Sequence, residues 1–519
     1  MKKSVILLMI WGLLVIGCGK TVKDALIFGR GGDSVGLDPA LETDGESFKV
    51  CDNIYETLVR FQQETTEVEP SLATSWEVSS DGLVWTFHLR QGVTFHDGAP
   101  LTASAVVFSL ERQFKEDHPF HKVEGAFNYW NDMGMSHIVK EIEAEDDSTV
   151  VIRLKERNAP FLSNLAMNFC SIVNPEVVKQ RGNDFFKHPS GTGPFRFVEW
   201  VKDDRIVLEA HPTYWQGKAK VEKLIFRSIP ENSVRLLELK KGTIDGMDGV
   251  VPDFVTEIKQ DPALQLLTQP GMNVGYLAMN TEKNPFSDVR VRRAITHAIN
   301  KKAIVDNLYQ GLAIPAKNPM PPTVWGYNYQ IEDYPYDPDR AKKLLDEAGY
   351  PNGFQTDLWT MTVPRPYMPQ PQKVAEAIQE DLKEVGITAE IQKMEWGTYL
   401  DKVFNGAHAM ALLGWIGDNG DPDNFLYTLL DKDAAVKPGQ NIAFYKSDEL
   451  HNLLIRARRL TDRQEREKLY KKAQEIIHRD APWVPLTHAE NIAVFRRSVT
   501  GFHLHPTGKM EFWGVGFVP

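Results

Sequence analysis

Hydrophobic and polar positions fall into two textures along the chain. In the first half the period is two: Leu83, Trp85, Phe87 and Leu89 alternate with Val84, Thr86, His88 and Arg90, giving one apolar strand face. Asp81-Gly82 ahead of this run, with Trp76-Glu77-Val78 before it, predicts a hairpin. Shorter β-like runs lie at 24–28, 138–144, 149–154, 195–199, 205–210 and 242–247. Helical spacing is read over 48–61, with Val50, Ile54, Leu58 and Phe61 on one face, and again over 234–240. A further helix starts at Thr102, with Val106, Leu110 and Phe114 in line. The first 260 residues therefore read as mainly antiparallel β with helices attached.

Beyond Leu266 strands and helices alternate. Strands are predicted at 273–280, 354–361, 387–394 and 409–415. Between them lie helices starting near Ser287 or Asp288, after Asp337-Pro338, over 372–385 and over 396–404. Two more helices follow, at 448–459 and 465–478, and 483–493 reads as a return to the first half. Alternation of this kind predicts a parallel or mixed sheet covered by helices. The fold class expected is α/β, with two lobes and crossovers near 267–280 and 480–490. No internal repeat or low-complexity linker interrupts it.

Composition narrows the function classes. A formal net charge of −11 over 519 residues, without a long basic run, argues against nucleic acid and against docking on anionic lipid. At the N-terminus, Lys2 and Lys3 precede an apolar run from Val5 to Ile16, a signal-peptide h-region too short to span a bilayer comfortably. It ends Val15-Ile16-Gly17-Cys18, similar to a bacterial lipobox, so residues 1–17 are expected to be removed and Cys18 to carry lipid. The net charge of the remainder is −13. Cys51 and Cys170 remain, and no disulfide between them is expected.

The chemistry concentrates in Met410-Ala-Leu-Leu-Gly-Trp-Ile-Gly-Asp-Asn-Gly-Asp-Pro-Asp-Asn-Phe425. Asp418, Asp421 and Asp423 crowd a Gly/Asn/Pro loop after an apolar strand. A calcium loop needs Gly at position 6, but that position is Asp423 counted from Asp418 and Leu426 counted from Asp421. Asp421 and Asp423, flanking Pro422, read as Asx-turn and capping residues. In open α/β sheets ligands bind beyond the carboxyl ends of strands. Asp418 lies there after strand 409–415, and Arg365 lies there after strand 354–361, in Val363-Pro-Arg-Pro-Tyr367. Either the two pair with each other, or they form a receptor with Asp418 for an ammonium and Arg365 for a carboxylate. A dipeptide carries that charge pair over at most about 7 Å. Trp415 and Tyr367 would wall it. The loop Ser190-Gly-Thr-Gly-Pro-Phe195 lacks the phosphate-cradle pattern and reads as structural.

These residues resemble the peptide/nickel class of ABC-transporter substrate-binding proteins (solute-binding family 5), and especially its dipeptide-binding members. The resemblance spans nearly all of the mature chain. It rests on SLATSWEVSSDGLVWTFHLRQGVTFHDGAPLTASAVVFSLER (71–112), GTGPF (191–195), YLAMN (276–280), VRRAITHAI (291–299), YDPDRAKKLLDEAGY (336–350), RPY (365–367) and GWIGDNGDPDNF (414–425). It implies a two-lobed periplasmic-binding-protein fold with mixed sheets, a hinge between the lobes and an extra β-rich subdomain in the first. The expected division is a signal peptide 1–17, a lipidated tether 18–23, lobe I 24–270, lobe II 271–484 and a return to lobe I 485–519. The resemblance assigns Asp418 to the α-ammonium and Arg365 to the α-carboxylate, with Gly414 and Trp415 lining the pocket and Thr43 contributing from lobe I. Close dipeptide binders can carry one disulfide near the mature N-terminus and another after the acidic loop, whereas here Gly29-Arg30-Gly31 and the segment after Leu430 contain no Cys.

The function so implied is a lipid-anchored extracytoplasmic receptor, monomeric and without cofactor, presenting short peptides to an ABC permease in the inner or cytoplasmic membrane. Haem, glutathione, a nickel chelate or longer oligopeptides are the alternative ligands. Fourteen His suggest His118/His121 or His503/His505 as metal pairs, but no further Cys or carboxylate pattern completes a site. An exported peptide hydrolase is set aside for want of H-E-x-x-H and of a serine nucleophile motif.

Overall fold

The computed structural model describes residues 24–121 and 127–518; the signal segment, Cys18 and the tether 18–23 lie outside the described residues. One strand, Trp483–Arg496, organises the rest. Ten of its fourteen residues are buried and none is exposed, the pattern of a strand covered on both faces. Its first part pairs antiparallel with Asn273–Met279, and its last part pairs antiparallel with Gly246–Asp248 and Leu264–Pro270. A twelve-stranded sheet is thereby continuous through both lobes. Leu264–Pro270 and Asn273–Met279, separated only by residues 271 and 272, thus pair with opposite parts of the same strand.

In lobe II, Gln355–Met361 lies parallel to Thr388–Met394 and to Met410–Ile416, which runs antiparallel to Asn273–Met279. This is the mixed sheet that the alternation predicts. Helix Pro371–Glu384 covers it with Val374, Ala375, Ile378 and Leu382 buried. Helix Pro338–Glu347 begins as its sequence requires: Asp337 accepts from the Arg340 amide at 2.9 Å, and Pro338 sits where no amide is needed.

Lobe I departs from the mainly antiparallel expectation at its centre. Ala25–Arg30 lies parallel to both Lys223–Ser228 and Gly246–Asp248. The sequence KLIFRS is short and interleaved with charge, so periodicity does not single it out. The antiparallel part is a separate four-stranded sheet, Ala73–Val78, Val84–Leu89, Thr149–Leu154 and Val139–Asp146, with its own core around Phe87, Val106, Leu110, Trp130 and Ile152. Its hairpin turns at Asp81-Gly82: Gly82 has φ 71°, and Asp81 accepts from the Leu83 amide at 3.0 Å.

The helix expected over 48–61 is corrected to Gly45–Ile54, followed by strand Val59–Phe61. Asp44 caps it by accepting from the Ser47 amide at 2.9 Å, and Tyr55 is extended. The Ser190–Phe195 loop ends it. The Gly193 amide donates to the Ile54 carbonyl at 2.9 Å, and a Cβ on Gly191 would stand 2.4 Å from that same oxygen. Those glycines let one backbone lie against another.

Candidate functional site

Between the lobes lies a cleft of about 1580 Å³ lined from both sides. Asp418, Arg365, Trp415, Gly414, Tyr367 and Thr43 all border it. Asp418 follows strand Met410–Ile416, and Arg365 follows the parallel strand Gln355–Met361, so register brings both to one sheet end. Backbone bonds between Arg365 and Met368, at 3.1 and 2.9 Å, close the arginine's loop into a tight bridge.

Asn424 fixes the acid. Its side-chain oxygen accepts from the Asp418 amide at 3.0 Å and from Trp415 Nε1 at 2.9 Å, and its Nδ2 donates to Asp418 Oδ2 at 3.2 Å. From lobe I the Tyr129 hydroxyl donates to Asp418 Oδ1 at 3.3 Å. Among the described residues no cation completes the set. Burial therefore pushes the Asp418 carboxyl up to about 7, with Asp132 adding to the rise and the bonds from Asn424 and Tyr129 opposing it.

The arginine is the complement. Its guanidinium carbon lies 4.5 Å from the Trp396 ring centroid, and its buried Nε has no acceptor. It also faces Tyr367, whose hydroxyl is raised by burial while Arg365 pulls it down. Among the described residues Asp418 and Arg365 form no ion pair with each other or with any other side chain. Mutual neutralisation is thus not what holds them.

Tyr367 is only 3% exposed, because its ring lies against Gly414, where a Cβ would meet Tyr367 Cδ2 at 2.3 Å. It supports the floor more than it forms a wall. Thr43 is exposed beside the helix-capping Asp44. Sequence reasoning missed Tyr129, Asn424 and Trp396. Asn424 was visible as a polar residue six positions after Asp418, whereas Tyr129 comes from another lobe and left no signal.

Asp421 and Asp423 do more than cap. Asp421 accepts from the Asp423 amide at 3.0 Å and pairs with Arg466 at 2.8 Å, while Asp423 pairs with Arg458 at 3.3 Å. The histidine pairs weighed and set aside as metal ligands have other partners: His121 bonds the Arg112 carbonyl, His503 bonds Glu64 and His505 bonds the Thr65 carbonyl. Cys51 and Cys170 are buried free thiols. One spelling corrects the sequence reading: Gly32-Asp33-Ser34-Val35-Gly36 does match G-x-S-x-G. Ser34 is wholly buried, takes a bond from Arg30 at 2.9 Å and donates to the Glu46 carbonyl at 3.3 Å. With a guanidinium where a general base would be needed, it is not placed as a nucleophile.

The pattern "Bacterial extracellular solute-binding proteins, family 5 Middle" matches residues 67–436. The chain is 41% identical to heme-binding protein A of Haemophilus influenzae over 93% of its length and 90% of the relative's. It is 40% identical to the dipeptide-binding protein of Escherichia coli over 99% of each chain. Its fold superposes with a TM-score of 0.86 on the periplasmic binding protein DppA from Helicobacter pylori in complex with peptide STSA, at 44% identity, covering 96% of this chain and 98% of that one. A two-lobed architecture, a cleft bordered by both lobes and a match over more than half the sequence agree: the chain belongs to the bacterial extracellular solute-binding proteins of family 5.

Proposed function

We propose that this chain is the peptide receptor of an ABC importer, holding a dipeptide or similarly short peptide with its α-ammonium on Asp418 and its α-carboxylate on Arg365. One observation carries the reading: an acid and a base line the same interlobe cleft, each lacking an opposite charge. A ligand ammonium supplies the cation that desolvated Asp418 lacks, and a ligand carboxylate supplies the acceptor that Arg365 Nε lacks. Trp415, Gly414, Tyr367 and Thr43 shape the space, and water fills what a small ligand leaves. In this reading Cys18 carries the lipid that tethers the body outside the cytoplasm, and the loaded monomer docks on its permease. As in a solute-binding protein, release is of intact peptide.

Calorimetry with a free dipeptide, its N-acetyl form and its C-terminal amide tests the clamp. Each blocked form should bind at least about 30-fold more weakly, since each leaves a desolvated charge unmatched. Equal affinity for all three would remove the clamp. Similarity to a heme-binding protein gives a second ligand its motive, so haemin belongs in the same titration series.

The same acid sets a pH profile. Free Asp418 titrates at about 7, and a bound ammonium favours its ionised form. Below that pH a proton must leave on binding, so affinity should fall about tenfold per unit on acidification. Above about 8 the peptide amine itself loses its charge and affinity falls again. Titrations near pH 6.5 in buffers of different ionisation enthalpy should show proton release. A flat profile from pH 5.5 to 7.5 would exclude Asp418 as the ammonium site.

A further inference from the structure

Outside the clamp, one cluster of side chains has the composition and spacing of metal ligands. Asp431, Asp433 and His451 each present a donor atom, and the three atoms lie within 4.8 Å of one another. His451 Nδ1 is 3.0 Å from Asp431 Oδ1 and 3.7 Å from Asp433 Oδ2. Donors bound about 2.0–2.2 Å from one ion, at tetrahedral or octahedral angles, stand roughly 3–3.6 Å apart, so small movements suffice to close on it.

Charge points the same way. The Asp431 carboxylate is wholly buried, yet among the described residues no lysine or arginine pairs with it. The adjacent Lys432 turns instead to Asp448 at 2.5 Å. Helix Asp423–Leu430 ends on Asp431, so the negative end of its dipole adds to the two carboxylates. The framework is also fixed in advance. Asn441 Nδ2 holds the Asp431 carbonyl at 3.0 Å, Asp431 accepts from the Asp433 amide at 2.8 Å, and Ser447 caps the helix Asp448–Arg459 that carries His451.

We propose that Asp431, Asp433 and His451 bind one divalent first-row transition-metal ion, of which zinc is the probe, at the rim of lobe II. An imidazole among three ligands selects against calcium and magnesium, which take oxygen, and three protein ligands leave positions for water. In the complex His451 ligates through Nδ1 as the neutral imidazole with its proton on Nε2, and the ion ties the end of helix Asp423–Leu430 to the start of helix Asp448–Arg459. The site was missed in the sequence because its histidine lies 18 positions beyond Asp433 in the chain. It stands independently of the peptide reading.

Zinc chloride titrated into the chelator-treated full chain should bind one ion per chain and raise the melting temperature reversibly to EDTA. Calcium and magnesium at the same concentration should not. His451→Ala and Asp433→Asn should each weaken zinc at least about tenfold. Asp433 is exposed, so its variant keeps the test valid should His451→Ala fail to fold. No zinc binding by the wild-type chain, or wild-type affinity in the Asp433→Asn variant, overturns the site.

Discussion

Asp418→Asn is expected to lose dipeptide affinity by about 30-fold to several thousand-fold, or roughly 2–5 kcal/mol, while remaining folded. The amide keeps the size of the side chain and the bond from Tyr129, but it leaves the ligand ammonium buried without a counter-charge. For an N-acetylated dipeptide the variant should bind no worse than wild type, because no ammonium remains to be matched. Stability should move the other way. The folded-state pKa of Asp418 is raised above its unfolded value, so the stabilisation that its protonated form contributes is present at low pH and lost as pH rises through about 7. At pH 8 the ligand-free variant should therefore melt no lower than wild type, the usual trade between function and stability. A purely structural aspartate would give the reverse, with lower melting and unchanged affinity. Calorimetry and thermal unfolding of the same preparation distinguish the two.

Arg466→Met is expected to destabilise lobe II by about 3–5 kcal/mol. Arg466 and Asp421 are both more than nine-tenths buried and joined at 2.8 Å, and the arginine also bonds the Ala457 carbonyl at 3.0 Å. Removing the cation leaves Asp421 charged in a buried site with no replacement. The Asp423 amide, at 3.0 Å, and the Tyr470 hydroxyl, at 3.4 Å, remain beside it, and neither carries a positive charge. The double variant Asp421→Asn/Arg466→Met should recover a large part of the loss. Urea unfolding followed by a probe in lobe II gives both values. A single-variant loss under about 1 kcal/mol would show that water reaches the pair and screens it.

What the sequence made legible follows from how local each feature is. Much of lobe II could be read directly, because helices such as Pro338–Glu347 and Pro371–Glu384 carry their start signals and apolar faces within one stretch, although helices Lys301–Leu308 and Asp423–Leu430 went unread. Asp418 and Arg365 could be proposed as neighbours because each follows its own strand, and a parallel pairing puts the two strand ends together. Features made by distant contact escaped. Tyr129 reaches Asp418 across 289 positions. The helix read over 48–61 ends at Ile54, whose carbonyl accepts from Gly193 in a glycine loop some 140 positions later. Ser34 shows the converse error, since its five-residue spelling fits a nucleophile while its burial and its arginine partner do not.

The long strand shared by the two lobes bears on how the chain acquires its structure. Lobe I has its first residues in place early, but Gly246–Asp248 and Leu264–Pro270 wait for a neighbour that is not made until residues 490–496. Asn53, in the first helix, likewise bonds Met510 and Phe512 at 2.8 and 2.9 Å. Contacts of such sequence separation form slowly. A nascent chain crossing a membrane N-terminus first would thus hold an incomplete, pliable first lobe until nearly its last residue had emerged, and a short C-terminal truncation would damage the half of the molecule that was synthesised earliest.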